Sequence, residues 1–377
     1  MLQSMTPWKI YPEGDLYYVA LCEALRQAEN HIRFESYIFT FEPLARQILH
    51  ELAAAAKRGV KVQLLVDGAG SLNWLDDLER FCHDSGIEFR IYRPFPRTWQ
   101  KWAQQLWSRT QWIKKINRRN HRKLIIIDQK IAFLGSLNIA ACHSRKYMGN
   151  LSWRDVGARI SGPEIHTLCE SFDHSWQTHT KIQKLLDPKT TPFTYAPLRG
   201  FIRLNSTRRW RRLLYRDLLE RIRRAEERIS ITSAYFLPKR SLVRALVKAR
   251  QRGVKVDILV PGPTDVPIVK WASYSLLNKL LSHSIHIWEY QGRNLHSKYM
   301  LIDQYASMGS MNLNHRSLIH DLELEVQLPA PELIRALDEI WHEDLAHARA
   351  LETDFFARLN PLRRWLYRLA FQFRYWL

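Results

Sequence analysis

The sequence predicts an α/β protein built from two homologous lobes. Two observations support this fold class: a long internal repeat, and an alternation of helical and apolar strand-like segments in each copy. Equivalent positions such as 121 and 296 lie about 175 residues apart, which is too long for a solenoid and fits two domains with separate cores. Strand–helix–strand order with uniformly apolar strands favours, in each lobe, a mixed β-sheet flanked by helices on both faces.

The predicted elements follow the same order in both lobes. In the first lobe, a helix, a strand, a helix and a strand occupy residues 15–30, 31–39, about 43–58 and 60–66. In the second lobe, the same four elements occupy residues 211–227, 229–236, 240–252 and 254–260. Gly59 and Gly253 end the second helix of each lobe, as glycine often does after a helix. A further buried strand is predicted at 124–127 and at 299–302.

These patterns divide the chain into an N-terminal lobe, a linker, a C-terminal lobe and a C-terminal segment, at residues 1–177, 178–200, 201–350 and 351–377. The linker is weakly patterned and contains three prolines. The N-terminal lobe carries a basic, tryptophan-rich insert at about 95–119.

Each lobe also carries the same polar string, His-x-Lys-x4-Asp followed by Gly-Ser-x-Asn. The first copy supplies His121, Lys123, Asp128, Ser136 and Asn138, and the second supplies His296, Lys298, Asp303, Ser310 and Asn312. A lone histidine is usually structural, but two histidines with the same partners at nearly the same offsets predict one bipartite active site. No His-x3-His or Cys-x2-Cys ligand pair accompanies the strings, so we expect no metal.

The residue types suit displacement at phosphorus. One histidine can attack phosphorus and form a covalent intermediate, while the other protonates the leaving alkoxide. Lysine, asparagine and serine beside each histidine can bind the phosphate oxygens as charge builds. Asp155 and Glu323 occupy equivalent places in the two lobes and are predicted to hydrogen-bond a histidine ring nitrogen. Asp128 and Asp303 each follow a buried strand, which indicates a structural or supporting role.

The paired strings resemble the two signature motifs of the phospholipase D superfamily, and the resemblance covers nearly the whole chain. In finer detail the chain is similar to bacterial cardiolipin synthases that lack N-terminal transmembrane helices. The segments that carry this similarity are Asn120-His-Arg-Lys, Trp153-Arg-Asp, Ala234-Tyr-Phe-Leu-Pro238, Asp265-Val-Pro-Ile-Val-Lys-Trp271 and Asn312-Leu-Asn-His-Arg-Ser317.

The resemblance implies two lobes related by pseudo-twofold symmetry, with both motifs at one site between them. It implies phosphatidyl transfer through a phosphohistidine, without a metal or another cofactor. On this chain His121 would be the nucleophile and His296 the general acid, within a catalytic set of His121, Lys123, Asp128, His296, Lys298 and Asp303. The phosphate-binding residues would be Lys123, Asn138, Lys298, Asn312, Ser136 and Ser310.

The composition indicates an anionic partner. The formal net charge is +20 and the isoelectric point is near 9.9. Basic residues alternate with tryptophan in the insert and with other aromatic residues in the C-terminal segment, which suits the headgroup layer of an anionic phospholipid membrane. Two alternatives remain at this stage. The C-terminal segment and the insert form amphipathic helices packed on the lobes, or these surfaces bind nucleic acid, which we do not expect.

No apolar segment has transmembrane length, and the N-terminus lacks the apolar core of a signal peptide. Four scattered cysteines fit free thiols in a reducing compartment. We therefore expect a peripheral protein at the cytoplasmic face of the bacterial inner membrane. An oligomer is not required, because one chain supplies both motifs.

The leading hypothesis is a transferase that makes cardiolipin from phosphatidylglycerol, with a second phospholipid as a further substrate option. One alternative is a phospholipase D-type hydrolase that uses water as acceptor and releases phosphatidic acid. Another is a superfamily nuclease that cleaves DNA phosphodiesters. A non-enzymatic membrane adaptor is disfavoured because both motifs are intact.

Overall fold

The computed structural model describes residues 8–94, 118–177 and 200–373, which form two α/β lobes, each around one mixed sheet. The predicted fold class is therefore confirmed. Most of the predicted linker and of the tryptophan-rich insert lies outside the described residues, at 178–199 and 95–117. The domain boundaries drawn from the sequence stay predictions.

The described residues of the first lobe form seven strands, with bounds Lys9–Tyr11 (β1), His31–Ser36 (β2), Lys61–Asp67 (β3), Glu88–Tyr92 (β4), Leu124–Ile127 (β5), Ile131–Gly135 (β6) and Gly157–Ser161 (β7). They lie in the order β1-β7-β6-β5-β2-β3-β4. Strands β2, β3 and β4 are parallel, and the remaining neighbours pair antiparallel.

The second lobe repeats this arrangement with eight strands, Ile202–Leu204 (β8), Arg228–Ser233 (β9), Lys255–Pro261 (β10), His286–Tyr290 (β11), Lys298–Ile302 (β12), Tyr305–Gly309 (β13), Leu324–Gln327 (β14) and Ala348–Ala350 (β15). Their order is β15-β11-β10-β9-β12-β13-β14-β8, with β9, β10 and β11 parallel. The order from β8 to β11 matches that of the first sheet from β1 to β4. The edge strand β15 is the one addition.

The helices also recur in order. Those of the first lobe are Gly14–Arg26 (α1), Pro43–Lys57 (α2), Leu75–Asp84 (α3), Arg145–Met148 (α4) and Glu164–Gln177 (α5). Those that follow are Arg208–Arg224 (α6), Arg240–Gln251 (α7), Pro267–Leu281 (α8), His315–Ile319 (α9), Pro331–Ala346 (α10), Phe355–Arg358 (α11) and Pro361–Gln372 (α12). Within the described ranges, none of them is long and apolar enough to span a bilayer.

The hydrophobic core has an inner layer shared by the lobes and an outer layer in each lobe. The inner layer contains residues from both sheets, such as Leu124 and Leu301, together with the buried faces of α5 and α10. The outer layers pack α1 to α3 on the first sheet, and α6 to α8 on the second. Because the lobes share the inner layer, the loops that carry the two motifs are held against each other.

Candidate active site

The loops before the two motif strands pair with the opposite lobe. The backbone N–H of His121 donates to the carbonyl of Leu322 at 2.9 Å, and the N–H of His296 donates to the carbonyl of Arg154 at 2.8 Å. Leu322 and Arg154 occupy equivalent places, each one residue before a predicted supporting acid. The two junctions therefore exchange equivalent positions, as pseudo-twofold symmetry requires.

As a result, each motif histidine pairs with a carboxylate of the opposite lobe. Nδ1 of His121 lies 3.0 and 3.1 Å from the carboxylate oxygens of Glu323. Nδ1 of His296 lies 3.0 and 3.2 Å from those of Asp155. A carboxylate that accepts the Nδ1 proton leaves Nε2, on the other side of the ring, as the atom that reacts. Each lobe thus supplies a histidine to one pair and an acid to the other.

The glycines of the Gly-Ser-x-Asn segments allow the strands to come close enough for this arrangement. Gly135 has φ +142°, and a Cβ there would lie 2.6 Å from the carbonyl oxygen of Val156. A Cβ on Gly309 would lie 2.2 Å from the carbonyl oxygen of Leu324. Any larger residue would separate the strand from the segment that carries the supporting acid.

The serines that follow these glycines hold the acids in place. The hydroxyl of Ser136 donates to Asp155, and that of Ser310 donates to Glu323 at 2.5 Å. The sequence placed both serines among the phosphate-binding groups. In the structure their protons are engaged with the carboxylates instead, so they position the acids that hold the histidines.

A cavity of about 360 Å³ lies between the lobes. It is lined by Tyr37, Ile38, His121, Asn138, Trp153, Tyr235, Asp265, Val266, Val269, His296, Asn312, Asn314, Arg316, Ser317 and Asp321. Its size fits a lipid headgroup with its ester groups, within the usual range of ligand sites. Both motif histidines and both motif asparagines therefore share one space.

The asparagines are oriented by the backbone. Oδ1 of Asn138 accepts the N–H of Ile38, and Oδ1 of Asn312 accepts the N–H of Tyr235, each at 3.3 Å. With each oxygen held in this way, the Nδ2 groups are the donors that a bound oxyanion can use.

Lys123 and Lys298 lie buried beside the histidines. Nζ of Lys123 donates to the backbone carbonyl of His121 at 2.7 Å, and Nζ of Lys298 donates to that of His296. Burial lowers the pKa of Lys123 to about 7 and that of Lys298 to about 8, although nearby carboxylates partly offset it. Neither lysine lines the open cavity, but a phosphate there would favour the charged form of both.

The histidines are poised in the neutral form. Burial lowers the pKa of His121, against the opposing effect of Glu323. Burial lowers the pKa of His296 well below its usual value, against the effect of Asp155. Burial disfavours charge on the acids too, but the adjacent histidine rings hold the pKa of Asp155 well below its usual range. A neutral imidazole is the form that attacks phosphorus.

His143, which lies outside the repeated motifs, is a second histidine on Asp155. Its Nδ1 lies 2.5 Å from Oδ2 of Asp155, and its ring centre lies 5.2 Å from that of His296. Burial disfavours the charged form of His143, but its interactions with Cys142 and with the carboxylate of Asp155 raise the pKa of His143 to about 9. No repeat signal could reveal it, because the position equivalent to His143 in the second lobe is Ser317.

The same trio is the only group in the described part of the chain with donors close enough for a metal. The donor atoms of His143, Asp155 and His296 lie within 4.8 Å of one another. In the structure these atoms hydrogen-bond to each other, and we assign no metal to them.

Tyr37 and Trp153 pack against the histidine rings, and Tyr235 lines the same cavity. Tyr37 contacts His121 with ring centres 4.8 Å apart, and Trp153 contacts His296 at 5.2 Å. Tyr235 donates its hydroxyl proton to Asp265 at 2.7 Å. Tyr37 and Tyr235 lie in similar strings of the internal repeat, which is the signal that could have marked them as site residues. In the structure the counterpart of Tyr235 is Ile38, since each accepts or donates the same backbone hydrogen bonds in its lobe.

The aspartates of the two motifs lie in turns after β5 and β12. Asp128 accepts the backbone N–H groups of residues 29–31 at 2.7–2.9 Å, and Asp303 accepts those of residues 226–228 at 2.9–3.0 Å. Both have positive φ, 52° and 46°. Neither lines the cavity. This is the geometry of the supporting role that the sequence indicated, and it separates them from the other four members of the motif-based catalytic set.

Comparison with known proteins agrees with this geometry. The family model described as "Cardiolipin synthase, PLD-like domain" matches residues 21–176 and 218–345, which cover both lobes. This chain belongs to that family. It is an enzyme of the phospholipase D superfamily, and its relatives support phospholipid phosphatidyltransferase activity.

Named relatives match over most of the chain. Cardiolipin synthase B of Escherichia coli K12 is 30% identical over 329 residues, or 84% of this chain and 75% of that protein. Cardiolipin synthase 2 of Staphylococcus epidermidis RP62A is 29% identical over 364 residues, or 94% of this chain and 71% of that protein. The phosphatidylserine synthase of Haemophilus influenzae has the same fold at 11% identity, with a TM-score of 0.75 over 99% of this chain and 96% of that one.

Proposed function

We propose that this protein synthesises cardiolipin by moving a phosphatidyl group from one phosphatidylglycerol molecule to another through a phosphohistidine. The observation that carries the proposal is the pair of crossed histidine–carboxylate contacts that open onto one cavity. One ring can attack phosphorus while the other faces the leaving group. The cardiolipin synthase relatives point to phospholipid as the substrate class.

In the first step, Nε2 of His121 attacks the phosphorus of the donor lipid. A P–N bond forms, the P–O bond to the headgroup glycerol breaks, and the glycerol oxygen takes the Nε2 proton of His296. Binding of the anionic phosphodiester favours that proton, because a negative charge near a histidine raises its pKa. Glu323 supports the positive charge that develops on His121.

In the second step, His296 is neutral and accepts the proton of a glycerol hydroxyl on the acceptor lipid. That oxygen attacks phosphorus, the P–N bond breaks, and His121 is regenerated. The amides of Asn138 and Asn312 and the ammonium groups of Lys123 and Lys298 stabilise the charge on the phosphate oxygens. Transfer prevails over hydrolysis only if the acceptor headgroup replaces water beside the phosphohistidine.

The proposed substrate lies in a membrane, so the proposed function implies a cellular location. An anionic phospholipid membrane is the surface that holds the substrate, and a net charge of +20 attracts the protein to it. We place the enzyme peripherally at the cytoplasmic face of the bacterial inner membrane, with both motifs on one chain and no oligomer required for the site.

The test is lipid mass spectrometry after incubation of purified protein with phosphatidylglycerol vesicles in the presence of a chelator. We expect cardiolipin and free glycerol in equal amounts from the native protein, and neither from His121→Ala. A parallel reaction with plasmid DNA should leave the DNA intact.

Other products would point elsewhere. Phosphatidic acid without cardiolipin would identify a hydrolase, and nicked DNA with unchanged lipid would identify a nuclease. Loss of activity on chelation would contradict a metal-independent reaction. The transferase, the hydrolase and the nuclease leave different products, so one experiment separates these three activities.

A further inference from the structure

The C-terminal helix α12 is apolar on two sides. Its inner side packs on α8 through Tyr367, whose ring stacks on Trp271 and Tyr274 with centres 6.4 and 5.4 Å apart, and through the buried Ala370. The sequence left open whether this segment packs on the lobes or lies in a membrane interface. Packing explains only the inner side.

The outer side of α12 exposes a second apolar stripe. Leu362, Trp365, Leu369 and Phe373 are 64, 58, 40 and 51% exposed, at a spacing that places them on one helix face. Exposed apolar side chains grouped in this way, rather than scattered singly, mark interaction surfaces on soluble proteins.

Further exposed apolar residues lie on α8, the helix on which α12 packs and whose first turn lines the active-site cavity. Ile268 and Trp271 of α8 are 40 and 39% exposed, and Trp271 stacks on Tyr367 of α12. On the other side of the same helix turn, Val269 lines the cavity and shares a buried cluster with Ala370. We call the six exposed residues the docking face: Ile268, Trp271, Leu362, Trp365, Leu369 and Phe373.

The charge around the docking face selects its partner. Helix α12 contains Arg363, Arg364 and Arg368 and no acidic residue. Aromatic and aliphatic side chains flanked by arginine suit the headgroup layer of an anionic bilayer, where apolar burial and attraction to anionic lipid act together. A protein partner with an apolar patch would not require three unopposed basic residues beside it.

We infer that the docking face inserts into the surface of an anionic phospholipid bilayer and thereby sets the mouth of the cavity at the headgroup layer. The inference rests on the proposed function, since it assigns the surface through which a lipid substrate enters the site. It also assigns both apolar sides of α12: the inner side to α8 and the outer side to lipid.

The test measures binding to vesicles of phosphatidylcholine alone or mixed equally with phosphatidylglycerol. We expect the native protein to bind the mixed vesicles. The variant Trp365→Gln/Leu369→Gln should bind them at least about tenfold more weakly, because it removes two inserting side chains. Its matched control is Leu16→Gln/Val19→Gln, two exposed apolar residues on α1 of the other lobe, which should bind like the native protein.

The contribution of charge is tested in the same way. Removing the three arginines of α12 as glutamine should weaken binding to mixed vesicles at least about tenfold. The control, Arg209→Gln/Arg212→Gln/Arg216→Gln on α6, removes the same charge from exposed positions elsewhere in the lobe. Equal losses in the α12 and control variants would mean that total charge alone drives binding, and would overturn the inference.

Activity on two forms of substrate separates this inference from the proposed function. Trp365→Gln/Leu369→Gln should lose cardiolipin synthesis on vesicles but keep native turnover of a short-chain, monomeric phosphatidylglycerol. If the native protein transfers neither substrate while the binding pattern holds, the proposed function fails and the docking face stands. Unchanged vesicle binding by this variant, or a native dimer that it dissociates in ultracentrifugation, would overturn the docking face.

Discussion

The two halves of the active site share one plan but differ at the acid. In the half built on His121, Glu323 accepts hydrogen bonds from one histidine and from Ser310. In the half built on His296, Asp155 accepts hydrogen bonds from two histidines and from Ser136. A pseudo-twofold axis would make the halves equivalent, and His143 breaks that equivalence.

This difference shows how two similar lobes can give equivalent residues, His121 and His296, different roles in the reaction. A positively charged His143 shares the negative charge of Asp155, so less of that charge supports a proton on His296. In the described part of the chain, His121 is the one histidine that contacts Glu323. The two rings therefore hold protons with different strength. In the empty site the pKa is lowered further at His296 than at His121, so the proposed general acid depends on the bound phosphodiester to favour its proton.

The largest expected effect comes from deleting the rings themselves. His121→Ala and His296→Ala should each reduce cardiolipin synthesis at least about 10³-fold, because each removes a group that acts at phosphorus or the leaving oxygen. On a phosphodiester with a good leaving group, His296→Ala should still form the covalent intermediate slowly, and His121→Ala should form none. Mass spectrometry of the intact protein measures the intermediate. Equal, complete loss of labelling in both variants would contradict the assigned roles.

Replacement of the acids should give smaller and unequal losses. Asp155→Asn and Glu323→Gln keep the shapes of the side chains but remove the charge that orients and supports each ring. We expect kcat to fall about 10²- to 10⁴-fold in each variant. The loss should be greater for Asp155→Asn, which disturbs His143 and Ser136 as well as His296. Steady-state assays of folded variants check this order. A greater loss of kcat in Glu323→Gln would show that the contact of His143 with Asp155 does not contribute to activity.

His143→Gln should change the pH dependence more than the rate. Removing this charge leaves the whole negative charge of Asp155 to His296 and raises the pKa of His296. If His296 donates a proton, the high-pH limb of kcat/KM should move to higher pH. The control is His342→Gln, at an exposed histidine on α10. A low-pH limb that moves to higher pH instead would identify His296 as the nucleophile and reverse the roles.

Much of this arrangement could be predicted because it is repeated. The paired motifs, the order of the elements and the site residues within each motif all recur at one period, and each copy supports the reading of the other. Crossing of the pairs could not be predicted, since equivalent positions of Asp155 and Glu323 fit a contact within a lobe or between lobes equally well. His143 was hidden for the opposite reason, because it occurs in one lobe only.

Two elements of the fold, β4 and α8, could not be predicted from the sequence. The sequence does not indicate strand β4. It is an edge strand in which the charged residues Glu88 and Arg90 alternate with half-buried residues, so it lacks the apolar run of the central strands. The sequence does not indicate helix α8. This helix is apolar on several sides and therefore lacks the amphipathic periodicity that predicts a helix. The structure explains that composition: α8 meets the sheet on one side, α12 on another and the cavity at its first turn.

The smallest effect should come from the two motif aspartates that lie in turns. Asp128→Asn and Asp303→Asn each weaken three hydrogen bonds to backbone N–H groups, and we expect each to lower the free energy of unfolding by about 1–2 kcal/mol. These bonds hold the pKa of each aspartate below its usual value against the effect of burial. The loss should therefore be full at neutral pH and disappear only as the pH falls below the ordinary aspartate range. Urea unfolding measures it, and kcat of the folded variants should stay within about threefold of native; a loss as large as that of Asp155→Asn would return both aspartates to the catalytic set.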